Sequence, residues 1–469
     1  MTAANHVIVG GGIAGLTAAL LLSQKKSNKV LLVEQSHRLG GLLHTDHHPS
    51  GHRFDAGMHF WTETGHPGLD SILFGLLPDH EWLRLTGNRR DCSGLFFRGQ
   101  IQFNTQYPDL RGLPEPEYQR CLADFFFNLG QTEPDPAPAG SFADHARHRF
   151  GPHIAQTYLK PIAEKIHGCS AEQLHPMARF FPLLDRIALF DEPLFADLMA
   201  SAALRARLAY PEQRNLPLNH SSGLSSAYPR QYGIRQVIEA FRERLQQNDV
   251  SIFLGSRISS LKVEGKRISA VTVSHDGTQC LTVEDPLSLT WTGSQFPLAR
   301  LLGLDNIAPP LPSRRTVLIS MIVNHAPPLR DLYCLFCADS GFSTYRVTNY
   351  PAYCPDAVNY GGYPITLEMI VDGADCHDRD ALAKQALDEA RRMGLLPPDD
   401  TPSFVHVEIL ASGFPDISNQ SVAAMTASRE AIDGLELGNL LRGGILAEEN
   451  LFFQKDILLD IYRKVEAWR

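Results

Sequence analysis

The chain has 469 residues, of which 43% are hydrophobic and 20% charged, and it carries a formal net charge of -9. This composition is typical of a folded globular protein and argues against extensive disorder. The negative charge gives no electrostatic reason to expect nucleic acid or an anionic membrane as a partner, and no apolar run approaches the length that spans a bilayer.

The chain begins with a pattern that predicts a strand, a tight turn and a helix. An apolar run at 7–9 ends at Gly10. Apolar residues then recur at helical spacing, at Ile13, Leu16 and Leu20. Because the first strand starts within ten residues of the beginning, a removable signal peptide has no room before it, and we expect a cytoplasmic protein.

The turn between this strand and helix has the Gly-x-Gly-x-x-Gly spacing of a dinucleotide-binding fingerprint. The first glycine of the fingerprint permits the sharp turn, the second admits a pyrophosphate to the backbone, and the third lets the helix pack on the strand. The free amides of the helix start hold the phosphates. We therefore expect the cofactor to contact Gly10, Gly12, Ile13, Ala14 and Gly15.

A second apolar run, at 30–33, ends in Glu34, which Gln35 follows. A carboxylate at the end of this strand accepts hydrogen bonds from both hydroxyls of an adenosine ribose and repels a 2′-phosphate. An unphosphorylated dinucleotide is therefore expected at Glu34 and Gln35.

The next motif, Arg38-Leu39-Gly40-Gly41, resembles the R-x-G-G motif of the glutathione-reductase type of FAD fold. This branch holds the amine oxidases, the protoporphyrinogen oxidases and the UDP-galactopyranose mutases. The resemblance implies FAD as the cofactor. It also implies that Arg38, Gly40, Gly41 and Leu42 face the FAD phosphates and the ribityl side of the flavin.

A histidine-rich loop follows, with His44, His47, His48 and His52. Such a group of imidazoles could bind a transition metal, but no carboxylate or cysteine partner stands at a typical ligand spacing. Surface imidazoles are also common. We therefore expect no metal site.

The segment 54–61, FDAGMHFW, resembles the F-D-x-G-P-H-x-F segment of the mutases and the F-D-x-G-x-H of the protoporphyrinogen oxidases. In those families the strand runs beside the flavin ring, which implies flavin contacts for Gly57, Met58 and His59. Met58 stands where the mutases have proline. A neutral His59 imidazole could hydrogen-bond the flavin or the substrate, and the alternative is a buried histidine satisfied by the backbone.

From about residue 67 to 218 the pattern indicates amphipathic helices joined by proline-rich connectors. Phe150-Gly151 and the segment 159–168 resemble the family segment F-G … P-Y-x-x-K-v-x-G, which belongs to the substrate-side helices. Lys165 and His167 are therefore candidates for the pocket wall. The alternative for Lys165 is a solvated position on a polar helix face.

The chain then resembles the family's return to the FAD domain. The segment 228–234, YPRQYGI, is similar to Y-P-x-G-G-I, with Tyr232 in place of one glycine. The segment 255–261 corresponds to the strand turn that grips adenine, and Ile258 sits at the position of the contacting valine. We expect strands at 250–254, 262–273 and 280–283, and a helix at 236–245.

The second excursion, about 309–424, alternates β-branched and aromatic residues, as at 316–323 and 365–371, which predicts an antiparallel sheet. The segment 342–349 resembles a family strand whose arginine, here Arg346, points to the active site. A guanidinium fixed there could clamp a phosphate or a carboxylate. Weaker candidates are Tyr345, Asn349, Tyr360 and Glu368.

The segment 439–454 resembles the mutase-type ending, in which a strand and a glycine turn precede a helix. In that family the turn and helix start lie against the flavin pyrimidine edge, where partial positive charge favours the anionic reduced ring. By this resemblance the cofactor contacts Gly444, Glu448, Asn450 and Leu451. The tyrosines of the mutase ending are absent.

We therefore expect an α/β fold: a glutathione-reductase-type Rossmann FAD domain with an inserted α+β substrate domain of helices and antiparallel sheet. The FAD domain would comprise residues 1–66, 220–302 and 425–469. The substrate domain would comprise residues 67–219 and 303–424.

The expected function is that of an FAD-dependent oxidoreductase, in which flavin N5 accepts a hydride from a small substrate, at a C–H beside an amine, an alcohol or a saturated carbon. His59, Lys165 and Arg346 are the candidate catalytic residues. Two alternatives stay open. One is a non-redox sugar isomerase like UDP-galactopyranose mutase, which uses reduced FAD and needs arginines for a diphosphate, such as Arg346 and Arg442. The other is a flavoprotein-derived binding subunit without catalysis. The electron acceptor and the oligomeric state do not follow from the sequence.

Overall fold

The computed structural model describes residues 4–90, 92–131, 140–217, 221–376, 378–410, 413–449 and 451–468. Its strands in chain order are β1 (His6–Val9), β2 (Val30–Val33), β3 (Thr45–His47), β4 (Arg53–Asp55), β5 (Trp61–Thr62), β6 (Trp82–Leu85), β7 (Ser93–Phe97), β8 (Gln100–Gln102), β9 (Ser226–Pro229), β10 (Ser251–Phe253), β11 (Ser256–Glu264), β12 (Arg267–His275), β13 (Thr278–Glu284), β14 (Ser288–Trp291), β15 (Arg315–Val323), β16 (Cys334–Cys337), β17 (Thr344–Asn349), β18 (Tyr363–Val371), β19 (Phe404–Ile409) and β20 (Leu440–Arg442). Its α-helices are α1 (Ile13–Ser23), α2 (Pro67–Phe74), α3 (Glu115–Gln131), α4 (Phe142–Phe150), α5 (Pro152–Ile154), α6 (Lys160–His167), α7 (Glu192–Leu198), α8 (Ala202–Arg207), α9 (Arg235–Gln247), α10 (Gln295–Leu301), α11 (Tyr350–Tyr353), α12 (Arg379–Arg392), α13 (Asn419–Asp433) and α14 (Gln454–Glu466).

A five-stranded parallel sheet in the order β10-β2-β1-β14-β20 carries the opening motif. Parallel strands are usually covered on both faces and are therefore apolar throughout, and all four residues of β2 are buried. The strands come from three distant parts of the chain, which lie within the three segments expected for the FAD domain. The domain boundaries themselves stay a prediction.

Helix α1 is apolar around its whole circumference, and its residues from Ala14 to Ser23 are all buried. A helix of this kind belongs in the interior. It packs against α9 and α14, so the opening motif is fixed from both distant segments of the same unit.

A separate sheet has seven strands, in the order β19-β15-β18-β17-β16-β7-β8. Its strand pairs are antiparallel except for β16 with β7. The antiparallel strands expected at 316–323 and 365–371 are β15 and β18, which place Ile319 opposite Leu367. One large apolar cluster packs on this sheet, and another fills the helical excursion around Phe125, Phe142 and Phe150.

Two expectations about local structure are wrong. The first excursion is not helical throughout, because it contains β6, β7 and β8; the apolar runs of these strands are too short to be distinguished from helix by periodicity. The single strand expected at 262–273 is a hairpin of β11 and β12, turned at Gly265 with φ +60°. Among the described residues, no helix has both the length and the apolar character needed to cross a membrane.

Candidate cofactor and active site

The glycines between β1 and α1 differ in the space around them. A Cβ on Gly10, whose φ is +103°, would collide with Thr292 Oγ1, and a Cβ on Gly15 would overlap the carbonyl oxygen of Gly10. A Cβ on Gly12 would meet no protein atom within 4 Å. Two of the glycines are therefore required for packing, whereas Gly12 borders open space at the helix start.

Helix α1 begins at this open space without a cap from any side chain in the described structure. The first amides of a helix carry partial positive charge and have no acceptor within the helix. The amides at Ile13 and Ala14 therefore need an outside acceptor. Open space beside uncapped amides fits the pyrophosphate of a dinucleotide, as the fingerprint predicts.

The Glu34 carboxylate is fixed at the end of β2 by two backbone amides. Its Oε2 accepts a hydrogen bond from the Gly11 amide at 2.5 Å, and its Oε1 accepts one from the Ser36 amide at 2.8 Å. Because an ionised carboxylate offers about four acceptor positions, ribose hydroxyls have positions left to bind. Gln35 beside it is exposed.

The Arg38–Gly41 loop lies against the glycine turn. The Gly40 amide donates to the Gly11 carbonyl oxygen at 2.8 Å, and a Cβ on Gly41 would lie 3.4 Å from the Cα of Gly12. The expected contacts of Gly40 and Gly41 with the cofactor are consistent with this position.

The side chain of Arg38 is half-exposed and turns to two carboxylates. Its Nη1 lies 3.5 Å from Asp46 Oδ1, and its Nη2 lies 4.0 Å from Glu408 Oε1. Leu42 is also half-exposed. In the structure the Arg38 charge is therefore directed at these carboxylates, and its contact with phosphate stays a prediction.

Thr292, which the sequence analysis did not single out, joins two glycine turns. Its Oγ1 donates to the Val9 carbonyl oxygen at 2.8 Å and fills the space beside Gly10. On its other side, a Cβ on Gly444, whose φ is +95°, would lie 2.5 Å from the Thr292 carbonyl oxygen. The two glycine turns expected at the cofactor are thus neighbours. The sequence feature that could have indicated Thr292 is its position directly after the strand β14.

The other expected cofactor contacts are placed as follows. Ile258 is buried in the apolar cluster that contains Leu31 and Val33, and Met58 packs against a second apolar cluster. Glu448 lies 3.0 Å from Lys464 Nζ. The Leu451 carbonyl oxygen accepts a hydrogen bond from the Leu446 amide at 2.7 Å, and Asn450 lies outside the described residues.

Asp55 of the FDAGMHFW segment connects that segment to the YPRQYGI segment. The carboxylate is buried and accepts hydrogen bonds from Thr45 Oγ1 at 2.6 Å, Tyr228 Oη at 2.5 Å and the Ile234 amide at 3.1 Å. Burial raises its pKa to about 6. Tyr232, which replaces a family glycine, is accommodated because its hydroxyl accepts the Asp55 amide hydrogen bond at 3.2 Å.

His59 is held by the backbone through one nitrogen. Its Nε2 lies 3.0 Å from the Ala56 carbonyl oxygen; because a carbonyl can only accept, Nε2 carries the hydrogen and Nδ1 the lone pair. Burial, with the charge of Arg346, lowers the pKa of His59 to about 4. The imidazole is therefore neutral near pH 7, the backbone satisfies its Nε2, and a contact of Nδ1 with the flavin or the substrate stays a prediction.

Arg346 is fixed by Glu368, which lies directly opposite on β18. Its Nε donates to Glu368 Oε1 at 2.6 Å and its Nη2 to Oε2 at 2.8 Å, which is a bidentate pair. The same carboxylate accepts from Tyr345 Oη at 2.6 Å and Thr348 Oγ1 at 3.2 Å. A Cβ on Gly57 would lie 3.0 Å from this carboxylate, so the network adjoins the segment that carries His59.

Lys165 and His167 both bind backbone carbonyl groups. Lys165 Nζ donates to the Cys337 and Thr344 carbonyl oxygens at 2.7 and 2.8 Å, and burial lowers its pKa. His167 Nε2 donates to the Phe181 carbonyl oxygen at 2.7 Å. Neither residue is a solvated position on a helix face. Lys165 instead connects α6 to β16 and to β17, the strand that carries Arg346.

Comparison with known proteins gives a short family match and longer, weaker likenesses. Residues 8–73 match the model of the NAD(P)-binding Rossmann-like domain. Human protoporphyrinogen oxidase is 26% identical over 271 residues, which are 55% of this chain and 55% of that protein. The chain thus spans about half the length of this curated relative.

Two solved structures have the same fold across nearly the whole chain. A reduced UDP-galactopyranose mutase superposes with a TM-score of 0.75 at 17% identity, covering 100% of this chain and 94% of that one. A putative protoporphyrinogen oxidase from Exiguobacterium gives a TM-score of 0.70 at 16% identity, covering 100% and 99%. The comparisons confirm the expected resemblance and the expected α/β fold class.

Proposed function

We propose that this chain, which has the fold of the amine oxidase, protoporphyrinogen oxidase and UDP-galactopyranose mutase superfamily, is an FAD-dependent oxidoreductase that takes a hydride from a small substrate. The observation that carries the proposal is the glycine turn, where open space at Gly12, the uncapped start of α1 and the fixed Glu34 carboxylate adjoin. FAD bound there would supply a flavin ring that accepts the hydride.

The groups expected beside the flavin suit a substrate whose reacting part is uncharged. His59 is neutral and offers Nδ1 as an acceptor for a substrate N–H or O–H. Arg346 and Glu368 form a bidentate ion pair without net charge. His59 and the Arg346–Glu368 pair can orient a substrate but do not supply a strong base. This suits hydride removal from a C–H beside an amine, an alcohol or a saturated carbon, which does not need a strong base.

The sugar isomerase alternative has less support. A diphosphate would need free arginines, but Arg442 is buried and donates to Asp433 Oδ1 at 2.5 Å and to Gln295 Oε1 at 3.4 Å. Arg346 is engaged by Glu368 through two of its nitrogens. Both guanidinium groups are therefore already bound within the protein.

The test is anaerobic absorption spectroscopy of the purified protein after reconstitution with FAD. Candidate amines, alcohols and protoporphyrinogen, the compound in the name of the human relative, are added without reductant. Bleaching of the flavin band by one of them supports the proposal. A protein that cannot be reconstituted with FAD refutes it, and a protein that isomerises a UDP-sugar after dithionite reduction, with no bleaching by any candidate, favours the isomerase.

Two histidine variants sharpen the test. His59→Gln should retain FAD and slow substrate bleaching by about tenfold, because the acceptor nitrogen beside the flavin is lost. His80→Gln is the matched control, since His80 is exposed in the loop before β6. Equal bleaching rates for both variants would remove His59 from the proposed site.

A further inference from the structure

Two strands from distant parts of the sequence bring metal-ligand side chains together beside the Arg38–Gly41 loop. His44 directly precedes β3 and Asp46 lies in it, whereas His406 and Glu408 are two apart in β19 and so share one face of that strand. The His44 imidazole and the Asp46 and Glu408 carboxylates meet there. The loop itself supplies His44 and Asp46, and Glu408 comes from a distant strand that sequence spacing could not indicate.

The distances in this cluster match the coordination shell of a metal ion. His44 Nε2 lies 3.5 Å from Glu408 Oε1 and 3.9 Å from Asp46 Oδ2, and the three ligand atoms all lie within 4.8 Å of one another. Ligands about 2.1 Å from a tetrahedral ion are about 3.4 Å apart. A cation therefore fits between them with small side-chain movements.

The orientation of His44 is that of a metal ligand. The residue is 4% exposed, and its Nδ1 lies 3.2 Å from the Gly41 carbonyl oxygen. Because this carbonyl only accepts, Nδ1 carries the hydrogen and Nε2 presents its lone pair. Metal-bound histidines commonly have such a backbone partner. In the described part of the chain, the buried Nε2 has no hydrogen-bond partner.

The cluster is short of positive charge. Asp46 and Glu408 contribute two carboxylates, and the half-exposed Arg38 guanidinium lies 3.5 Å from the first and 4.0 Å from the second. A cavity of about 310 Å³, lined by Asp46 and Glu408 together with His48 and His406, gives an ion a route to these ligands.

We propose that His44, Asp46 and Glu408 form a binding site for a divalent cation of the Mn²⁺ or Zn²⁺ class. One imidazole and two carboxylates without sulfur suit these ions, and the cavity leaves room for water to complete the shell. The ion would link the loop after β2 to β19 of the seven-stranded sheet. This site does not depend on the proposed redox function.

Mn²⁺ is the probe, because free Mn²⁺ gives an electron paramagnetic resonance signal that is lost on binding. Mn²⁺ also binds thiolates weakly, so the eight free cysteines should not compete for it. The full-length, tag-free protein is treated with chelator, dialysed and titrated with Mn²⁺. We expect one ion per chain, displaced by Zn²⁺. His44→Ala, Asp46→Asn and Glu408→Gln should each weaken binding at least about tenfold.

The control is His80→Ala, since His80 is exposed and does not line this cavity; it should bind Mn²⁺ as the unmodified chain does. Thermal melting provides a second measurement: Mn²⁺ should raise the melting temperature of the unmodified chain and of His80→Ala, but not that of Glu408→Gln. Absence of saturable binding, or binding that all three ligand variants retain, would overturn the proposal.

Discussion

The substitution Gly12→Ala separates the cofactor role of the glycine turn from its role in folding. The Gly12 backbone has φ -75° and ψ -180°, which alanine adopts without strain. The added Cβ meets no protein atom within 4 Å. The free energy of unfolding of the FAD-free chain should therefore change by less than about 1 kcal/mol.

The same methyl group should interfere strongly with FAD. A phosphate oxygen that accepts an amide hydrogen bond lies about 2.9 Å from the nitrogen, and the new carbon projects about 1.5 Å from the Gly12 Cα into that space. The phosphate must then move away from the helix start. We expect the affinity for FAD to fall at least about 100-fold, which corresponds to about 2.7 kcal/mol.

FAD affinity is measured by titrating FAD-free protein with FAD and following the quenching of flavin fluorescence, and stability is measured by urea unfolding. Gly15→Ala is the contrast, because its Cβ overlaps the Gly10 carbonyl oxygen and should destabilise the fold itself. If Gly12→Ala binds FAD as tightly as the unmodified chain, the pyrophosphate does not lie at this helix start and the reasoning is wrong.

Three further substitutions test the groups around the expected flavin. Glu368→Gln leaves the buried Arg346 guanidinium without its counter-charge and should cost about 3 kcal/mol in urea unfolding; a loss below about 1 kcal/mol would contradict the pairing. Burial raises the pKa of Asp55 from 3.8 to about 6. Between about pH 4 and 6 the folded chain therefore holds a proton on Asp55 that the unfolded chain has lost. The contribution of Asp55 to the free energy of unfolding should fall by about 3 kcal/mol as the pH rises from about 4 to 6. Urea unfolding across this range should show that Asp55→Asn loses this part of the pH dependence, and equal slopes would contradict it. Lys165→Met removes two hydrogen bonds to backbone carbonyls and should cost about 2 kcal/mol while the FAD content stays unchanged; loss of FAD without loss of stability would instead place Lys165 at the cofactor.

The sequence could predict the parts of the fold that depend on neighbouring residues. The turn and helix after β1 and the acid at Glu34 follow from local glycine spacing and apolar runs. The long strands β15 and β18 also follow, because alternation over nine residues is a strong local signal. The short strand β7 gives no such signal, because five residues are too few to establish alternation and one of its two partner strands, β16, lies far along the chain.

The candidate site shows the same limit. The resemblance of segments 54–61 and 342–349 to family motifs indicated His59 and Arg346, but the bidentate partner Glu368 was only a weaker candidate, because cross-strand register decides it. Thr292 was missed because its role depends on the close approach of two glycine turns. The His44, Asp46 and Glu408 cluster was missed because β19 supplies one ligand from a different sheet.

The position of Arg38 connects the proposed cation site to the proposed FAD site. Its guanidinium compensates Asp46 and Glu408 in the structure, whereas the family resemblance implies that it faces the FAD phosphates. A divalent cation bound at the cluster would neutralise these two carboxylates in place of Arg38. Arg38 is half-exposed, and its loop lies against the glycine turn, so it would then be released toward phosphate.

Because bound Mn²⁺ would free Arg38 for the FAD phosphates, we predict that Mn²⁺ and FAD bind cooperatively. A charge-assisted hydrogen bond from Arg38 to an FAD phosphate corresponds to a coupling of about 1 to 2 kcal/mol, or about 5- to 30-fold tighter FAD binding with Mn²⁺ bound. By linkage, FAD must strengthen Mn²⁺ binding by the same factor. Fluorescence titrations with and without Mn²⁺ should show this coupling in the unmodified chain and in His80→Ala, and should show none in Arg38→Gln. If Arg38→Gln retains the coupling while Mn²⁺ still binds, the cation acts on FAD through another group, and the exchange of Arg38 between carboxylates and phosphate is excluded.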